Sequence, residues 1–162
     1  DRTHLPRCIL GCSCCACLRR CRRWMCLVTG LVLVSHSLEL AQAALGLATG
    51  LIPDLDVRVE LAAGLPGGGL GTDTTEVGAA IERADDGEGV LVLADLGSGI
   101  MSAETALELI DPSLASRVHL SSAPVVEGLI GAYAAAGVGK ALDAVVIEAE
   151  ASVEAKRMQM AR

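Results

Sequence analysis

Two unbroken aliphatic runs, Leu31-Val32-Leu33-Val34 and Val90-Leu91-Val92-Leu93-Ala94, constrain this chain most, because no polar residue interrupts either of them. A strand with one wet face alternates apolar and polar side chains, whereas a strand covered on both faces is apolar throughout, as in parallel sheets sandwiched between helices. Segments of helical period lie between the strand candidates. Behind Ser37, a residue suited to capping a helix, Leu40, Ala41, Ala44, Leu45, Ala48 and Leu51 follow helical spacing until Pro53 and Asp54 break it. A second strand is expected over Val57 to Leu61, then the glycine-rich "AAGLPGGGLGT", then a helix from about Thr72 to Ala84 that ends at "DDGEG". After Val90 to Ala94 the pattern predicts a helix over Met101 to Ile110 closed by Asp111-Pro112, and a short strand over Arg117 to Leu120. Pro124 opens a further helix to about Gly137, and a last one covers Asp143 to Arg162. Strand and helix thus alternate four times with crossovers of a dozen residues or more, which parallel strands require. The expectation is a single-domain α/β fold with an open, mainly parallel four-stranded sheet, strand order 2-1-3-4, and helices on both faces.

Composition supports one domain with a real core, since 162 residues are 52% hydrophobic with a mean hydropathy of +0.50. Trp24 and Tyr133 are the only aromatic residues, so a base-stacking platform is excluded. From residue 28 onward the chain carries 7 basic and 19 acidic side chains, a net of −12 that repels nucleic-acid backbones. All seven cysteines and six of the thirteen basic residues precede residue 28. Three readings compete for that segment. Cys12, Cys14, Cys15 and Cys17 can chelate a soft metal as thiolates, although matched C-x2-C pairs are lacking. The arginines of residues 19–23, the apolar run and Ala41-Gln42-Ala43 can form an export signal with its cleavage site. The preferred reading is an upstream scar, with translation starting at Met25 or Val28, because Cys, Arg, Trp and Gly are common products of GC-rich DNA read upstream of a start; export is disfavoured because cleavage after Ala43 would strip the first strand from the fold. The expected organisation is a non-native, unstructured leader over 1–27, the domain over 28–150, and a helical tail over 151–162. A cytoplasmic location without membrane contact goes with it.

The residues with chemistry cluster at one level of this fold. In an open parallel sheet, ligands bind beyond the carboxyl ends of the strands, near the point where strand order reverses. Those ends carry His36, then Gly69-Leu70-Gly71-Thr72, then Asp95-Leu96-Gly97-Ser98, then Ser121-Ser122. With strands 1 and 3 adjacent and about 4.8 Å apart, the Asp95 carboxylate can reach a ring nitrogen of His36, fixing its tautomer and leaving the other nitrogen free to attack an electrophile. Backbone N–H groups at the glycine turn and at the start of the next helix can hold phosphate oxygens. The turn matches neither a nucleotide P-loop, since no Lys-Ser or Lys-Thr pair follows, nor a dinucleotide fingerprint. His4 and His119 have no evident partner.

The segments "GLVLVSHSLELA", "GTD", "VLVLADLGSGIMSAETALELI" and "APVVEG" together resemble the phosphocarrier subunits of phosphoenolpyruvate-dependent dihydroxyacetone kinases, which have the fold of mannose-type EIIA domains of the sugar phosphotransferase system. The resemblance covers residues 29–150 and leaves 1–27 unmatched. It implies a phosphohistidine relay in which His36 accepts a phosphoryl group on Nε2 from phospho-HPr while Asp95 orients Nδ1. It also implies a phosphate-side set of Gly71 and Thr72, joined on the same rim by Ser37, Gly97 and Ser98. The acceptor implied is ADP on a separate nucleotide-binding subunit of the kinase, so magnesium and nucleotide belong to that partner and no cofactor or metal to this chain. A homodimer is compatible with the fold family. An EIIA domain feeding a mannose-type sugar transporter is the alternative within the fold, and a secreted cysteine-rich protein the alternative outside it.

Overall fold

The computed structural model of the protein describes residues 28–161; the readings of 1–27 as leader, chelator or signal lie outside the described residues. Strand β1 (Gly30–Ser35) leads into helix α1 (Leu38–Leu51), β2 (Val59–Ala63) into α2 (Thr74–Ala84), and β3 (Val90–Ala94) into α3 (Ser98–Leu109) and the short α4 (Pro112–Ala115). Strand β4 (Val118–Ser121) is followed by α5 (Val125–Gly137), α6 (Leu142–Glu150) and α7 (Ser152–Met160). The sheet has the order β2-β1-β3-β4 with every pair parallel, as the aliphatic runs require.

The two central strands explain why both faces are covered. Successive side chains of a strand point to opposite sides, so Leu31, Leu33, Leu91 and Leu93 line one face and Val32, Val34, Val90 and Val92 the other, all fully buried. The leucine face packs against Ala44 and Ala48 of α1, Leu129, Ala132 and Tyr133 of α5, and Val145 and Ala149 of α6. The valine face packs against Val77, Ala80 and Ile81 of α2, Ala103 and Ala106 of α3, and Leu114 of α4. Alanine stripes let these helices lie close to the sheet without large aromatic side chains. Tyr133 is buried, and its hydroxyl donates to the Leu55 carbonyl at 3.2 Å.

Several boundaries differ from the sequence expectation, each for a local reason. Strand β2 lies two residues later than Val57 to Leu61, because pairing sets Val59 opposite Leu31 and extends to Ala63 opposite Ser35. Helix α2 begins at Thr74 rather than Thr72, since Asp73 caps it by accepting from the N–H groups of Thr75 and Glu76. Helix α3 begins at Ser98, three residues before Met101: Gly97, with φ of 52°, turns the chain from β3 straight into the helix. Asp111-Pro112 does end α3, but Asp111 then caps α4 by accepting from the Ser113 N–H. Strand β4 runs to Ser121, which stands opposite Leu93. The final helix is two, α6 and α7, meeting at Ala151. The peptide Ala41-Gln42-Ala43 lies inside α1 with Ala41 fully buried, which is a helix interior and not an extended cleavage segment.

Candidate functional site: a carboxylate-held histidine on the sheet rim

The adjacency of β1 and β3 brings His36 and Asp95 together. Val34 stands opposite Ala94, and the Asp95 N–H donates to the Val34 carbonyl at 3.0 Å, so both residues leave the sheet at the same level. His36 Nδ1 lies 2.9 Å from Asp95 Oδ2 and 3.0 Å from Oδ1. The Asp95 carboxylate also accepts from the His36 N–H at 2.8 Å, the Ser35 hydroxyl at 3.1 Å and the Leu96 N–H at 2.7 Å. Partial burial by itself raises the pKa of Asp95; the donors from His36, Leu96 and Ser35 outweigh it and hold the carboxyl below the usual value. An ionised carboxylate only accepts hydrogen bonds, so in the neutral ring the proton sits on Nδ1 and the lone pair on Nε2. The Asp95 side chain is 12% exposed and that of His36 31%. The anchor is thus mostly shielded while the ring reaches solvent.

One hydroxyl reaches Nε2, and two more gather behind it. Ser98, first residue of α3, places Oγ 2.7 Å from Nε2. Thr72 Oγ1 lies 3.3 Å from the Ser98 carbonyl and 3.5 Å from Ser98 Oγ, and Ser102 Oγ lies 2.9 Å from Thr72 Oγ1. The N-terminus of α3 also points here, and its partial positive charge suits an anion on Nε2. In the neutral ring the Nε2 lone pair faces the Ser98 hydroxyl, which donates to it.

Of the expected set, His36, Asp95, Ser98 and Thr72 converge, and Gly97 supplies the turn that delivers Ser98. Two residues play other local parts. The Gly71 N–H donates to the His36 carbonyl at 2.9 Å, which fixes the backbone behind the ring instead of presenting a donor to a phosphate. Ser37 Oγ accepts from the Leu40 N–H at 3.2 Å and donates to Glu39 Oε2 at 2.8 Å, committing that hydroxyl to the start of α1. The expected cradle at the N-terminus of α2 is filled by Asp73, so Thr72 contributes its hydroxyl rather than a helix-end amide. His119, without a partner in sequence, faces Glu150 at 3.6 Å.

Sequence reading missed Ser35, Gly99 and Ser102. A Cβ on Gly99 would sit 2.5 Å from Asp95 Oδ1 and 3.8 Å from the His36 ring, so only glycine leaves room for the carboxylate. The spacing Asp95-x-x-x-Gly99 held that signal, but it is invisible until the helix is known to start at Ser98. Among the described residues there is no cluster of three or more potential metal-ligating side chains, and no helix is long and apolar enough to cross a membrane.

A rim histidine on a parallel 2-1-3-4 sheet, held by a carboxylate from the neighbouring strand, defines a class, and the chain belongs to the family described as the fructose IIA component of the phosphotransferase system, whose model matches residues 30–146. More particularly, it is similar to phosphoryl donor subunits of PEP-dependent dihydroxyacetone kinase. It is 40% identical over 135 residues to that of Klebsiella michiganensis and 44% over 133 residues to that of Providencia stuartii. These alignments cover 82% and 81% of this chain but 29% and 28% of the relatives, so the chain spans less than a third of their length. The phosphoryl donor subunit of dihydroxyacetone kinase 2 from Listeria innocua is 32% identical over 118 residues, covering 73% of this chain and 94% of that protein. Among solved structures, a protein of unknown function superposes with a TM-score of 0.70 at 28% identity, covering 76% of this chain and 94% of that one. A sigma-54 interaction domain protein from Enterococcus faecalis, with a TM-score of 0.60 and 18% identity over 83% of this chain and 97% of that one, shares the fold.

Proposed function

We propose that this chain is a phosphohistidine carrier, a phosphotransferase subunit that takes a phosphoryl group from phospho-HPr onto Nε2 of His36 and passes it to ADP on the nucleotide-binding subunit of a dihydroxyacetone kinase. The observation that carries the reading is the Asp95 carboxylate on Nδ1, which leaves Nε2 as the nucleophile at the exposed end of the ring. In the accepting step the Nε2 lone pair attacks phosphorus, the N–P bond forms, and the bond from phosphorus to the donor atom breaks with its electrons leaving on the donor. The ring gains positive charge as it does so, and Asp95 stabilises that charge while keeping the proton on Nδ1. In the delivering step the N–P bond breaks and a terminal phosphate oxygen of ADP takes the phosphorus. Such a site works in both directions by positioning and modest electrostatics. Ser98, beside Nε2, and Thr72, next to Ser98, are the phosphate contacts of this reading, and magnesium and nucleotide belong to the acceptor subunit. The reading places the protein in the cytoplasm.

The relatives, phosphoryl donor subunits of dihydroxyacetone kinase, support this acceptor. The family description, a sugar-system component, keeps one other acceptor in play: a mannose-type sugar transporter. Incubation with phosphoenolpyruvate, enzyme I and HPr should place an acid-labile label on the wild type and none on His36→Gln. Label persisting at an acid-labile site in His36→Gln would overturn the nucleophile. Mixing the labelled chain with a nucleotide-binding kinase subunit carrying ADP should move the label to ATP; transfer only to a sugar-transporter acceptor would replace the first reading by the second.

A further inference from the structure

Resting on His36 as the phosphoryl acceptor, we propose that Ser102 is a positioning residue for the transfer step: it holds the Thr72 hydroxyl against Ser98, whose own hydroxyl reaches Nε2. The direction of these hydrogen bonds follows from the imidazole end. Asp95 keeps the proton on Nδ1, so Nε2 offers only a lone pair and the Ser98 hydroxyl, 2.7 Å away, must donate to it. With its proton so engaged, the Ser98 oxygen is left to accept. Thr72 Oγ1 lies 3.3 Å from the Ser98 carbonyl and 3.5 Å from the Ser98 hydroxyl, and gives its one proton to Ser98, the carbonyl being the nearer acceptor. The Thr72 oxygen in turn accepts from Ser102, 2.9 Å behind it.

The placement fits a supporting rather than a contacting role. Ser102 lies one helical turn after Ser98 on α3 and is half-buried, whereas Thr72 arrives from the loop between β2 and α2. When a phosphoryl group takes the Nε2 lone pair, Ser98 loses its acceptor there and its hydroxyl turns to a phosphoryl oxygen. Thr72 stays aimed at the same place because Ser102 holds its oxygen. No atom passes through Ser102; it removes the rotational freedom of the hydroxyl in front of it, which lowers the reorganisation needed at the moment of transfer.

The test compares Ser102→Ala and Ser102→Thr with the wild type, in the full chain, by single-turnover phosphorylation from phospho-HPr and by thermal unfolding. Alanine is the better helix former, so the melting temperature of Ser102→Ala should not fall. Its maximal rate should fall by about three- to tenfold, the worth of one hydrogen bond in such a network. The KM for phospho-HPr should not change, and Ser102→Thr, which keeps the hydroxyl, should recover most of the rate. A Ser102→Ala rate equal to wild type, a loss confined to KM, a loss that tracks a lower melting temperature, or no recovery in Ser102→Thr would each overturn the proposal. A wild type that takes no label at His36 overturns the carrier reading itself, which is a different result.

Discussion

At the residue scale, Asp95 joins folding and chemistry in one group. Its carboxylate accepts from two backbone N–H groups, the Ser35 hydroxyl and the His36 ring, so it ties the ends of β1 and β3 together as well as orienting the imidazole. Asp95→Asn keeps the shape but removes the charge and puts an amide where only acceptors fit, so the tautomer is no longer fixed. Phosphorylation of His36 should drop by about 10² or more, by analogy with other oriented histidines. The same substitution should lower stability at neutral pH, with a pH signature whose sign is determined. The folded-state pKa of Asp95 lies below its unfolded value; between the two the unfolded chain binds more protons, so stability rises with pH through that window. The stability difference between wild type and Asp95→Asn should therefore be full above about pH 4 and shrink as pH falls through the depressed value. Denaturant titrations from pH 7 down to pH 2 measure it; a difference independent of pH would show that the carboxylate's charge contributes nothing to the fold.

At the element scale, the β3–α3 junction matters most. Gly97 makes the turn, Ser98 reaches Nε2, and Gly99 makes room for Asp95, so three consecutive residues of one helix start serve three different needs. Gly99→Ala separates site geometry from stability. The added methyl would overlap Asp95 Oδ1 and push the carboxylate off the ring, while alanine favours the helix by up to about 1 kcal/mol over glycine. Phosphotransfer should fall on the order of 10²-fold, the usual effect of a misplacement near 1 Å, with the unfolding midpoint little changed. A Gly99→Ala protein that accepts phosphoryl groups at the wild-type rate would show that the close contact is irrelevant. Sequence reading identified Asp95 and Ser98 because strand ends can be read from the aliphatic runs. It missed Gly99 because that residue's role depends on where the helix begins, which Gly97 decides through a backbone angle and not through any side-chain pattern.

At the scale of the whole molecule, the C-terminal helices divide into one that belongs to the core and one that does not. Val145 and Ala149 of α6 are fully buried against the leucine face, and Glu150 accepts from the Ser121 and Ser122 hydroxyls and the Ser122 N–H at the end of β4. Helix α7 has no buried residue. A chain ending at Ala151 should keep its melting temperature within a few degrees, whereas one ending at Ala141 should lose cooperative unfolding, because opening that face removes several kcal/mol from a total of about 5–15. Calorimetry of the two truncations checks this, and equal behaviour would place α6 outside the folding unit. The sequence by itself determined the α/β class, the parallel sheet, its two covered faces and the rim on which His36 and Asp95 stand, because unbroken aliphatic runs and helical spacing are local and periodic. Only the tertiary structure decided which groups meet at that rim. Ser37 keeps the local capping part its position offered, whereas Gly71 is drawn into backbone support of His36 and Thr72 and Ser102 gather behind Ser98, which reaches Nε2; the Thr72–Ser98 and Ser98–His36 contacts join segments 26 and 62 residues apart through strand register and helix start, which no local pattern encodes.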